Sequence, residues 1–303
     1  MDIDMTLDNT PEIESVRYPL SHLCLAGIAI GNKAGQPIIC LHGWLDNAAS
    51  FLPLFQQLAA KSSPLLEHYR FIAIDWPGHG LSDHRGIDAH YHFVDYVDDL
   101  YQLQQTLKSP SVNLLGHSMG GMVATLYAST FPDKVSQLIL IEAFGLLTET
   151  DDPTGLLRRG IESRAKQGNL RKARHTSVNS AIKARVNVSD LDPASARFIV
   201  ERGLVEDEGG YFWRSDARLR TVSLYRYALP QAQQIVKQIQ APITLIKGEQ
   251  GFDMIDRAIE LFAPSIDRLS IHRLTGGHHV HMQQPDGVVD IVEQTLTDTQ
   301  PNP

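Results

Sequence analysis

Ser118 stands in Gly116-His117-Ser118-Met119-Gly120, a G-x-S-x-G pattern between the apolar run Ser111–Leu115 and the apolar stretch Met119–Thr130. A serine on such a strand-to-helix turn has a strained backbone that lifts its hydroxyl above a sheet, where it can attack a carbonyl. Glycines flank it because side chains there would collide with neighbouring backbone, and Gly121 lets the helix pack closely. The start of the helix points N–H groups at the hydroxyl, and the residue after the nucleophile, Met119, supplies one of them to a developing oxyanion. The competing reading is a serine in an ordinary βα turn. It is disfavoured because strand and helix both stand where the nucleophile reading needs them.

A serine nucleophile needs a base. His278, His279 and His281 form a cluster near the C-terminus. Three histidines so close could hold a metal, but no Cys or Asp/Glu cluster nearby completes a ligand set. One catalytic histidine beside structural ones is the better reading, and neither metal nor cofactor is expected.

The elements that must position these residues are short apolar runs alternating with amphipathic segments. Gln36–Leu41, Tyr69–Asp75, Ser111–Leu115, Ser136–Ile141, Pro242–Lys247 and Asp267–Leu274 read as strands. Asn47–Ala60, His92–Leu107 and Met119–Thr130 read as helices with one apolar face. Near-continuous apolar strands alternating with helices predict an α/β fold, with a mostly parallel sheet covered on both faces. From about 145 to 240 the alternation breaks. This stretch is rich in Arg, Lys and Ala, is mostly helical in pattern, and is expected to be a lid inserted after the strand ending near Ile141. Residues 1–144 and 241–303 would then form the core. Within the lid, Tyr211-Phe212-Trp213 is expected to pack rather than to touch substrate.

At this point the chain resembles the α/β-hydrolase superfamily. Leu41-His42-Gly43-Trp44 is similar to its oxyanion loop, Asp75-Trp76-Pro77-Gly78-His79-Gly80-Leu81-Ser82 to its D-x-P-G-x-G-x-S turn, and Gly277-His278 to its catalytic-histidine loop. The run from His42 to Ala48, and Gly210–Leu219 in the lid, resemble the serine hydrolase-like branch. The resemblance implies Trp44 and Met119 N–H groups as the oxyanion hole and His278 as the base, with His279 the alternative. It leaves His42 as a brace of its loop and the Asp75 turn as structural.

The acid departs from the family pattern. The family usually places an aspartate in a G-x-x-D turn, and here that turn reads Gly248-Glu249-Gln250-Gly251. Gly251 has no side chain to orient an imidazole. Two substitutes are open: Asp253, two residues on, and Glu142, directly after Ser136–Ile141. A carboxylate at the end of so apolar a run needs a partner, because burying it unpaired is costly. Glu142 is therefore preferred, with Asp253 as the alternative and Glu249 third.

These residues together point to a serine hydrolase, with a carboxylesterase for small or medium acyl chains as the leading expectation. A carbon–carbon bond hydrolase on a vinylogous diketone uses the same groups. A degenerate, non-catalytic binding protein is the reading that the missing aspartate would support. The chain has 303 residues, 43% of them hydrophobic and 20% charged, enough for one large α/β domain. A net charge of −8 argues against nucleic acid as a partner. The N-terminal segment is acidic without an apolar core, no run is long enough to span a bilayer, and only Cys24 and Cys40 are cysteines. The protein is therefore expected to be soluble and cytoplasmic, with a small-molecule ester as its partner.

Overall fold

The computed structural model describes residues 12–149, 151–167 and 174–297. The polar N-terminal stretch, read from sequence as frayed, lies outside them through residue 11. Strands β1 (Glu14–Pro19) and β2 (Cys24–Gly31) come first, then β3 (Gln36–Leu41). Helices α1 (Leu52–Ala60) and α2 (Leu65–His68) lead to β4 (Tyr69–Ile74), and α3 (Asp95–Leu107) leads to β5 (Val112–His117). Helix α4 (Met119–Thr130) and strand β6 (Val135–Ile141) follow.

Next come α5 (Pro153–Gln167), β7 (Arg174–His175), α6 (Val178–Val186), α7 (Pro193–Gly203), β8 (Leu204–Asp207) and β9 (Gly210–Trp213). The chain returns through α8 (Leu229–Val236) to β10 (Ile243–Gly248), α9 (Met254–Phe262), β11 (Leu269–Leu274), α10 (Val280–Gln283) and α11 (Pro285–Thr297).

Eight strands form one sheet in the order β1-β2-β4-β3-β5-β6-β10-β11. From β4 to β11 all neighbours are parallel, and β1 and β2 add an antiparallel edge. The inner strands are apolar throughout because helices cover both faces and leave no solvent side. Two large cores result, one on each face of the sheet. The antiparallel edge is not foreseen from the sequence. In β2 the apolar run is broken by Gly27, whose missing side chain lets the backbone of β4 approach: a Cβ there would lie 2.4 Å from the Ala73 carbonyl oxygen.

Each predicted strand of the parallel sheet is present, within one or two residues at its ends. The helix predicted over Asn47–Ala60 opens instead as a 3-10 turn at Ala48–Phe51, capped by the Asn47 side chain. The helix predicted over His92–Leu107 starts at Asp95.

The segment between β6 and α8 is less helical than its composition suggests. β7, β9 and β8 form a three-stranded antiparallel sheet, and Tyr211-Phe212-Trp213 lies in its central strand. Glu208-Gly209 is the tight turn between β8 and β9, and Gly210, at φ +103°, opens β9. Two N-caps start its helices: Ser177 in a capping box at α6, and Asp192 followed by Pro193 at α7. Its entry and exit meet where Thr148 bridges Tyr227 and the Glu149 N–H donates to the Tyr227 carbonyl at 3.1 Å. Helix α8 lies beyond that neck, and its Ala232 and Val236 belong to the main core. We call residues 149–226 the insertion. Among the described residues no helix is long and apolar enough to cross a membrane.

Candidate active site

The elbow is local chemistry made visible. Ser118 sits at φ 51° and ψ −119°, a left-handed conformation that a non-glycine residue rarely adopts. Its N–H donates to the Ile141 carbonyl at 3.0 Å, which ties the turn to the end of β6. The three glycines are required by contact. A Cβ at Gly116 would lie 2.5 Å from Gly121, one at Gly120 would lie 2.1 Å from the Leu41 carbonyl oxygen, and one at Gly121 would lie 2.5 Å from Ala143 Cβ. Helix α4 can therefore start directly beside the end of β3. Met119 is its first residue, so its N–H is one of the donors that the helix itself leaves unpaired.

Ser118 Oγ and His278 Nε2 are 2.9 Å apart. On the other side of the same ring, Nδ1 is 3.3 Å from Glu142 Oε2. The ring stacks on Phe252, with centroids 4.1 Å apart. The structure thus brings Ser118, His278 and Glu142 into one line at the C-terminal edge of the sheet. Asp253 is not brought there: it is an exposed residue at the start of α9, and Glu249 turns away to accept from Thr275 Oγ1 at 3.1 Å.

Glu142 is 1% exposed, and its backbone has φ 48°. Its N–H donates to the Ile246 carbonyl at 3.0 Å. Its carboxylate accepts the N–H groups of Gly248 at 2.8 Å and Phe252 at 3.2 Å. These bonds replace lost water and keep a buried carboxylate affordable. Gly251 now has an explanation. A Cβ at this position would lie 2.3 Å from both Glu142 carboxylate oxygens. The space a side chain would take at residue 251 is filled by the carboxylate that reaches across from β6.

The loop after β3 is braced from the Asp75 turn. His42 Nδ1 donates to the Gly43 carbonyl at 2.7 Å, and its Nε2 accepts from the Trp76 N–H at 3.0 Å. Complete burial pushes its pKa down, which suits this neutral tautomer. His79 Nε2 accepts from the Leu45 N–H at 3.3 Å, and burial pushes that ring down to about 3. Trp44 is half exposed, lines the cavity and donates its indole N–H to the Leu219 carbonyl of the insertion at 2.9 Å. Asp75 accepts the N–H groups of Ala48 and Leu81. It also takes a forked contact from Arg202 of α7 at 2.8–3.0 Å.

Several site residues carry no sequence signal. His117 occupies a motif position open to any residue, yet its Nε2 donates to the His278 carbonyl at 2.9 Å. Burial and the surrounding histidines hold its pKa well below the usual range, so the ring stays neutral. His281, which the sequence did single out in the histidine cluster, is fully buried against His117, with ring centroids 4.2 Å apart, and burial pushes it down to about 3. Asp46, Arg185 and Asp190 line the same cavity; Asp46 and Asp190 pair with His279, and Arg185 pairs with Asp46. Their partners are distant in sequence, so spacing alone could not find them. Ser118, His278 and Phe252 open onto this cavity of about 1280 Å³, whose far wall, including Trp213, Val188 and Arg220, comes from the insertion.

A family model described as the alpha/beta hydrolase fold matches residues 36–285. A serine hydrolase-like protein of Danio rerio is 30% identical over 298 residues, covering 94% of this chain and 89% of its own. Serine hydrolase-like protein 2 of Homo sapiens is 28% identical over 297 residues, covering 92% and 91%. The crystal structure of a hypothetical protein from Pseudomonas aeruginosa PAO1 superposes with a TM-score of 0.84 at 33% identity, covering 95% of this chain and 98% of its own.

Proposed function

The chain belongs to the α/β-hydrolase family, in its serine hydrolase-like branch, and on that premise we propose that it is a carboxylesterase that works through an acyl-enzyme at Ser118. The observation that carries the reading is the line Ser118 Oγ, His278 Nε2, His278 Nδ1, Glu142 Oε2, with gaps of 2.9 and 3.3 Å. Ser118 attacks the ester carbonyl while His278 Nε2 takes its proton. Glu142 holds the proton on Nδ1, leaving Nε2 free to accept, and stabilises the imidazolium that forms. The N–H groups of Met119 and Trp44 receive the oxyanion, each worth about 3 kcal/mol in such sites. His278 then returns its proton to the leaving alcohol, and a water activated by the same base releases the acid.

The insertion acts in this reading as the lid that sets substrate size. Its apolar wall residues, Val188 and Trp213, suit a small or medium acyl chain. Cys24 and Cys40 are free thiols, which supports a reducing compartment such as the cytoplasm.

A series of p-nitrophenyl esters of increasing chain length tests the substrate class, alongside labelling of Ser118 by a fluorophosphonate. We expect labelling in the folded protein and a maximum of kcat/KM at short to medium chains. Labelling without ester turnover, combined with cleavage of a vinylogous diketone, would replace the ester reading by carbon–carbon hydrolysis. No labelling at all would leave a binding protein.

A further inference from the structure

His279 follows the proposed base directly, and both of its ring nitrogens face carboxylates. Nδ1 pairs with Asp190 Oδ1, and Nε2 lies 3.4 Å from Asp46 Oδ2. A neutral imidazole has one N–H and would turn a lone pair toward one of these acceptors; only the imidazolium satisfies both. Asp190 belongs to the insertion, in the loop between α6 and α7, and Asp46 belongs to the loop after β3. Asp46 is held in turn by Arg185 of α6. A chain of four charges, Arg185–Asp46–His279–Asp190, therefore starts and ends in the insertion and passes through both loops of the active site.

Asp190 also grips the backbone. Its Oδ2 accepts the His279 N–H at 3.0 Å. The carbonyl of the same planar peptide, that of His278, accepts from His117 Nε2 at 2.9 Å. The peptide after His278 is thus pinned at one end from the core and at the other from the insertion. Gly277 permits this approach, since a Cβ there would lie 2.3 Å from Asp190 Oδ2. Gln283 donates to the Asp190 carbonyl at 2.8 Å, and Met282 of α10 packs into the small core of the insertion.

We infer that His279, as an imidazolium between Asp190 and Asp46, is the positioning residue through which the insertion holds His278 against Ser118. The inference rests on the reading of those two residues as base and nucleophile. Loss of the His279 charge frees one of its two carboxylate contacts and loosens the pinned peptide, and small displacements of a reacting group cost orders of magnitude in rate. Burial opposes the charge on His279, but Asp46 and Asp190 outweigh it and raise its pKa to about 9. The other titratable groups packed against it are His117, His278 and His281, at centroid distances of 5.1, 5.4 and 6.2 Å. Of these, His117 and His281 are held neutral by burial, so they do not titrate in the same range.

The test is the rate of fluorophosphonate labelling of Ser118 between pH 6 and 10 in wild type, Asp190→Asn and His279→Gln, with kcat and KM on a p-nitrophenyl ester at pH 7. Wild type should lose rate as pH rises through about 9. Asp190→Asn should lower kcat at least tenfold with KM changed less than threefold, and move the alkaline fall down by a unit or more. His279→Gln should be slow and show no alkaline fall. An Asp190→Asn profile that superimposes on wild type, or an alkaline fall that persists in His279→Gln, overturns the proposal while the Ser118 reading stands. Should a variant fail to fold, wild type alone still decides: a rate flat to pH 10 overturns the proposal. No labelling of wild type at any pH brings down the Ser118 reading and this proposal with it.

Discussion

Two carboxylates approach the histidine loop from opposite regions of the molecule, and they are built differently. Glu142 comes from the sheet. It is fully buried, strung between two parallel strands, and held by two backbone N–H groups as well as His278. Asp190 comes from the insertion. Its side chain is 30% exposed, it sits on a loop, and its partners are the ring and N–H of His279. The sheet side is tied strand to strand: the Ser118 N–H donates to the Ile141 carbonyl and the Glu142 N–H to the Ile246 carbonyl. The insertion side meets the core through charge pairs at Asp46 and Asp75 and through side-chain bonds such as Trp44 to the Leu219 carbonyl and Asn47 to the Ile199 carbonyl. In the proposed mechanism the sheet thus carries the reacting groups, and the insertion positions them.

The sharpest break of this contrast is Glu142→Gln. An amide cannot hold the proton on Nδ1, and the corresponding loss in a serine–histidine–carboxylate triad is about 10⁴-fold in kcat. A kcat within tenfold of wild type would remove Glu142 from the chemistry. On the insertion side, Arg202→Met leaves Asp75 buried with only its backbone donors. Chemical denaturation should show a loss of about 3 kcal/mol, because a charge left unpaired inside a protein keeps its desolvation cost. A loss below 1 kcal/mol would mean that the insertion does not depend on this anchor.

The charge of His279 gives a pH signature of similar size. Its folded pKa of about 9 lies above the ordinary histidine value, so its contribution to stability is complete below pH 6.5 and is lost as pH rises through 9. The drop should be on the order of 3 kcal/mol in wild type and much smaller in His279→Gln. Equal pH dependence in both would dissociate the charge from folding. A smaller effect tests the space at residue 251. Glu142→Gly combined with Gly251→Asp places the acid where the family usually has it, and should recover kcat at least tenfold over Glu142→Gly alone. Equal rates in the two variants would show that the turn cannot present a carboxylate. The smallest effect is expected from Asp253→Asn, under threefold in kcat, since this exposed residue does not reach the histidine loop.

The parallel strands were legible because strands buried on both faces are written as contiguous apolar runs, as in Tyr69–Ile74 and Val135–Ile141. The antiparallel edge was not, because β1 mixes charged and apolar residues and Gly27 interrupts the apolar run of β2. The strands of the insertion were hidden because they are short: β7 has two residues, and β8 and β9 have four each. Segments so short carry too few alternations to stand out from helical composition.

The elbow at Ser118 is a matter of five consecutive residues, and the sequence by itself determined it, because a strained turn needs glycines at fixed offsets from the serine. It also narrowed the proposed base to a short histidine cluster and exposed the empty position at Gly251. The sequence preferred Glu142 to Asp253, and the tertiary structure puts Glu142, not Asp253, beside His278, across 136 residues of chain. That choice follows from β6 and β10 being neighbours in the sheet, with the end of β6 reaching the space that Gly251 vacates. Asp190, Arg202 and His117 became site residues in the same way. Backbone geometry is specified by adjacent residues, whereas the partner of a buried charge is specified by which loops the fold brings together.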